Sequence, residues 1–181
     1  MPLTNITATT PGNLFYRTGQ ITVNAVNLGA LTGNTVFRIG KEDFIPDLAG
    51  AAGEVTGTRY RMAENATLQV TFTEWQLAAL ARAIAGVDVS SNASSEVIGS
   101  SDDSSDAVGC ISATEYVTVV FTGEQCDGLR RTIHLWNAIA DGDFEGTFDD
   151  KGMFTFGVTF KATYDPADPD MRPWAVVHNT A

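Results

Sequence analysis

From Gly152 to Tyr164 the chain alternates apolar and polar positions with period two. Phe154, Phe156, Val158, Phe160, Ala162 and Tyr164 fall on one side of an extended backbone; Gly157, Thr159, Lys161 and Thr163 fall on the other. Such alternation predicts a long strand with one buried face. Just upstream, Phe144 and Phe148 stand opposite Glu145 and Thr147. The polar link Asp149-Asp150-Lys151-Gly152 between the two runs suits a tight turn, so residues 143–164 read as one long hairpin. Shorter runs repeat the pattern: Ile21, Val23 and Ala25; the segment NTVFRIG; Leu68, Val70 and Phe72; then EYVTVVF and RRTIHLWN, joined by the turn-rich TGEQCDG.

The period changes once. Thr73-Glu74-Trp75-Gln76 has the form of a capping box. Leu77, Leu80, Ala81 and Ile84 then recur at helical spacing, and Gly86 supplies a stop. This predicts a helix whose apolar stripe packs on a sheet. Two segments show neither period. Residues 40–58 are rich in Gly and Ala but keep Phe44, Ile45, Pro46 and Leu48, which reads either as an Ω-loop folded onto its own domain or as a docking loop. Residues 88–109 are rich in Ser and Asp and read as a flexible, solvated insertion. The expectation is a single domain over residues 1–181, an all-β sandwich or barrel with one helix packed across it.

Composition sharpens the picture at two points. With 22 acidic and 11 basic side chains the net charge is −11, which argues against gripping nucleic acid through clustered Lys and Arg. The charge is also lopsided: residues 1–87 balance six basic against six acidic side chains, whereas residues 88–181 set five basic against sixteen acidic ones. One half of the molecule should carry a strongly negative surface, most simply for solubility. The polar N-terminal segment does not read as a signal peptide, and no apolar run is long enough for a membrane-spanning helix. Cys110 and Cys126 bracket an apparent strand and read as free thiols, since an extended chain between them holds them far beyond the roughly 6 Å Cα spacing of a disulfide.

Constellations of catalytic residues are scarce, and the chain does not read as an enzyme; no cofactor is expected. His134 sits within an apparent strand and His178 close to the C-terminal end. The aspartates of YDPADPDMRPW, Asp165, Asp168 and Asp170, invite comparison with a calcium loop. Pro166 and Pro169, however, stiffen the chain where a metal loop must wrap, and the alternate spacing with a central Gly is missing. The favoured reading is a stiff, extended exit from the last long strand. Trp136 lies on the face opposite Ile133 and Leu135, so both faces of its strand are expected to be covered, by the helix, a second sheet or another subunit. Trp136 and Trp174 are therefore subunit-interface candidates.

In order and character of elements, the stretch AGAAGEVTGTRYRMAENATLQVTFTEWQL and the closing run WNAIADGDFEGTFDDKGMFTFGVTFKATYDPADPDMRPW resemble the major tail proteins of long-tailed bacteriophages, a likeness spanning most of residues 20–177. What the resemblance implies is a structural virion protein. Its hexameric rings would contribute strands to a continuous inner barrel and stack into a tail tube, a conduit for the genome during ejection. The partners it implies are further copies of the chain, the tape-measure protein, and terminator and tip proteins. DNA would pass through without specific binding, no membrane would be involved, and assembly would take place in the cytoplasm of the bacterial host. The loop 40–58, with Phe44, Ile45, Pro46 and Leu48, would contact the adjacent ring; Asp143, Glu145, Asp149 and Asp150 would be the acidic candidates facing the lumen. A β-sandwich that binds or decorates a virion or cell surface shares the strand pattern and stays open as an alternative.

Overall fold

Alternation becomes a core most plainly in the segment Tyr60–Phe72, where Glu64, Ala66, Leu68, Val70 and Phe72 are all buried and the residues between them are not. The computed structural model describes residues 19–47, 49–50, 53–73, 81, 84, 87–91, 96–100, 111–124, 130–141, 145–148 and 154–178, with the backbone alone for 87–91, 96–100, 145 and 148. In chain order the strands are β1 (Gln20–Val23), β2 (Val26–Asn27), β3 (Leu31–Phe44), β4 (Tyr60–Phe72), β5 (Val87–Ser91), β6 (Glu96–Ser100), β7 (Val117–Glu124), β8 (Arg130–Ala140), β9 (Glu145–Phe148), β10 (Phe154–Ala162) and β11 (Trp174–His178). All pairings are antiparallel, and the fold is all-β.

Nine strands form one sheet in the order β2-β1-β7-β8-β10-β4-β3, with β11 added to β8 and β9 to β10. Two strands change partner along their length. One edge of β8 pairs with β11 over Arg131–Leu135 and with β10 over Ala138–Ala140. One edge of β10 pairs with β9 over Phe154–Gly157 and with β8 over Phe160–Ala162. These exchanges fold the sheet over, so residues near its two ends meet in one cluster: Ile21 and Val23 of β1, Val119 of β7 and Leu135 of β8, with Leu68, Val70 and Phe72 of β4 and Phe156, Val158 and Phe160 of β10. Phe72 and Phe156 stack at 5.0 Å within it. Each fully buried large apolar side chain contributes about 1.5–3 kcal/mol.

The bend in β8 has a local cause. Val119 pairs with Leu135 but Val117 pairs with Ala138, so β8 carries one extra residue, and Asn137 there is left-handed (φ 48). The bulge resets the alternation. Leu135 and Ala138, three apart, are both buried, whereas strict alternation would have turned Asn137 inward. The Asn137 carbonyl accepts from both the amide and the hydroxyl of Thr163, fixing the bulge to the end of β10.

Several expectations change here. The hairpin anticipated over 143–164 is present as β9 and β10, paired over four positions among the described residues, and β8 takes the same edge of β10 from Phe160 to Ala162. The connection anticipated at 40–58 begins later, since Gly40–Phe44 continue β3 and pair with Tyr60–Asn65. In the stretch expected to be a flexible, solvated insertion at 88–109, β5 and β6 pair as a separate two-stranded sheet, and the remainder lies outside the described residues. The segment Asp165–Met171 is not an extended exit. The amide of Asp168 donates to the carbonyl of Asp165 and that of Met171 to Asp168, making two consecutive turns, each with Pro in the position after its leading Asp. The Asp165 carboxylate accepts from the amide of Ala167 at 2.8 Å, and the reversal brings β11 back alongside β8. Of the expected helix after Thr73 only Ala81, which is helical, and Ile84, which packs against the core, are described; both cysteines lie outside the described residues.

Candidate interaction site

The β3–β4 hairpin is longer than the body that supports it. β10 pairs with β4 only from Thr67 to Phe72, so Ile39–Phe44 and Tyr60–Ala66 run on as a two-stranded arm. Two-stranded ribbons are marginal in water by themselves. At the far end Phe44, Ile45, Tyr60 and Met62 are 54%, 44%, 65% and 68% exposed. Phe44 faces Tyr60 across the ladder, and Met62 is the extra residue at a bulge between the Glu42–Ala63 and Asp43–Arg61 pairs. Pro46 is half-buried, and Leu48 lies outside the described residues.

A chain of alternating charges braces this arm. Arg59 grips Glu54 with two nitrogens, at 2.7 and 2.9 Å, and reaches Asp43 at 3.4 Å. Arg61 donates to Asp43 at 3.0 Å and to Glu64 at 3.2 Å. Glu64 is only 4% exposed, because it occupies the core-facing register of β4 one step beyond Ala66. Its other oxygen accepts from the Trp174 indole at 2.8 Å, with the Arg172 guanidinium 3.9 Å away. Where the apolar core gives out, the inward face continues as ion pairs.

The electrostatics follow from these contacts. The hydrogen bond from Arg61 is the largest influence on Asp43 and holds its carboxyl below the usual range, with Arg59 adding to it. Glu54 is lowered chiefly by the bond from Arg59. Both guanidiniums are pushed further up in turn, Arg59 mainly by Glu54 and Arg61 mainly by Asp43.

The remaining sequence candidates are scattered. Trp174 is half-buried and engaged within the chain, its ring edge-on to Phe37 at 5.9 Å and its indole on Glu64. Trp136 is half-buried and stacks on His134 at 6.0 Å, while its amide donates to the carbonyl of Pro173. Asp143, Asp149 and Asp150 lie outside the described residues. Glu145 is placed by its backbone alone, paired with Gly157. Among the described residues no group of three or more His, Cys, Asp or Glu side chains is arranged to hold a metal ion. A hollow of about 410 Å³ lies over the bulge, lined by Tyr116, Asn137, Thr163, Tyr164 and Asp165 among others. The sequence singled out Phe44 and Ile45, which are exposed here, but not Tyr60, Met62 or the ion-pair chain. RYRMAE reads as a solvated strand end until its register is known.

No protein-family model matches this chain, and no curated protein matches it either. Among solved structures it is similar to the anti-feeding prophage cap, a tube terminating cap seen by cryo-EM. The likeness has 11% sequence identity and a TM-score of 0.47, over 99% of this chain and 100% of that one. At that level the likeness assigns no role to this chain.

Proposed function

We propose that the protein is a non-enzymatic structural subunit of a phage-type tail, assembling with copies of itself into hexameric rings that stack as a tube. The observation that carries this reading is the arm, a ribbon extending past the core, braced by ion pairs, with Phe44, Ile45, Tyr60 and Met62 exposed at its end. Exposed apolar side chains grouped on one element are suited to a partner surface. The outer edge of β3 is unpaired among the described residues over fourteen positions, an edge that a ring of subunits would cover. Both features agree with the resemblance of the sequence to major tail proteins. In this reading the arm contacts the adjacent ring, and the acidic second half of the chain, with Asp143, Glu145, Asp149 and Asp150, lines a lumen that repels phosphate and lets DNA slide. Tape-measure, terminator and tip proteins would be the remaining partners, in a virion assembled in the host cytoplasm.

Negative-stain microscopy and sedimentation of the purified protein test this reading. Rings or tubes are expected, and the double variant Phe44→Ser/Met62→Ser should keep the fold while losing stacked tubes. A strictly monomeric protein that binds a sugar or a cell surface would sink the proposal in favour of a decoration or binding module.

A further inference from the structure

Glu64 joins two parts of the molecule that share no ladder. One of its oxygens takes a hydrogen bond from Arg61, whose Nε holds Asp43 on the opposite strand of the arm. The other takes the Trp174 indole N–H, at the first residue of the C-terminal strand β11. Neither attachment is strong without the other. Beyond Thr67 the arm has no third strand among the described residues, and β11 is a five-residue strand whose Val176 and Val177 are exposed.

We propose that Glu64 couples the arm to the C-terminal strand, so that seating β11 rigidifies the arm and loosening either one loosens the other. The physical reason is the cost of an underpaired buried charge. A carboxylate at 4% exposure that loses one set of donors keeps its desolvation penalty with only half the compensation. It must then move toward water, and it takes the other attachment with it. Phe37, which packs edge-on against Trp174, and Arg172, whose guanidinium lies 5.9 Å from the centre of the Trp174 ring, place β3 and the turn before β11 at the same junction. Thermodynamic coupling of this kind is reciprocal.

Hydrogen–deuterium exchange on the full chain in dilute solution tests the proposal independently of any assembly. Trp174→Phe keeps an aromatic ring beside Phe37 but removes the N–H. It should speed amide exchange in 40–44 and 60–63 by about fivefold or more. Asp43→Asn, a conservative change at a residue held by Arg59 and Arg61, should speed exchange in 174–178 by a similar factor. In both variants the core segments 68–72 and 156–160 should keep their protection. Acceleration confined to the substituted segment overturns the coupling, and so does equal acceleration of the core, which would mark a global loss of stability.

Discussion

Ala25 follows Asn24 in the two-residue link between β1 and β2, and both have positive φ, 48 and 63, the pattern of a type I′ turn. Asn24 suits its place, since its side chain accepts from the amide of Thr118 and its own amide donates to the carbonyl of that residue. Ala25 has no such compensation and pays the Cβ penalty of the left-handed region. Ala25→Gly should therefore stabilise the protein by about 1 kcal/mol, seen as a higher midpoint in urea with an unchanged slope. Asn137 is the opposite case, a left-handed residue at the bulge that turns Ala138 inward. Asn137→Val places a β-branched side chain at φ 48 and should cost about 1–3 kcal/mol in the same measurement.

At the scale of elements, the arm should be the first part of the sheet to respond to acid. The ion pairs that brace it run through Glu54, Arg59, Asp43, Arg61 and Glu64, with Arg172 beyond the arm and Lys41 and Glu42 also carried on its β3 strand. Asp43 and Glu54 have folded-state pKa values below their ordinary ones. Their contribution is thus complete above the usual carboxylate range, near ~4, and is lost as pH falls through the lowered values. Exchange or NMR signals from 40–44 and 60–63 should loosen below pH ~4 before those of 156–160. Simultaneous loss would mean that the ion pairs do not brace the arm separately. The elements themselves were unevenly legible. β10 was plain because Phe156, Val158, Phe160 and Ala162 alternate without a break. The outer part of β3 was not, because Gly40–Phe44 lie on a ribbon, exposed except for the ion-paired Asp43, and carry no alternating apolar signal.

For the whole molecule, the charge asymmetry and the arm belong to one proposal and make separate predictions. In a phage carrying this protein, Glu145→Lys should leave tubes intact but slow genome ejection, measured as the rate of DNA release, because a ring of cations in the lumen would hold phosphate. Unchanged ejection would remove Glu145 from the lumen while leaving the arm contact to be judged by microscopy. Of the candidate site, Phe44 and Ile45 could be picked out as apolar residues in a polar stretch. Tyr60 and Met62 could not, because in RYRMAE nothing in the sequence shows that β10 stops at Thr67 and leaves them unsupported.

Sequence alone determined the buried faces of β4 and β10 and the all-β character, because these depend on local period. The tertiary structure decided which strands meet, and with that the meaning of individual residues. The extra residue at Asn137 and the two turns from Asp165 to Met171 determine how the sheet closes and where β11 lands. Only that closure turns Glu64, one more polar residue at a strand end, into a buried charge held from two sides. Pairing between distant segments has no signature in a local window, and the burial of a charge is a property of what the fold brings to it.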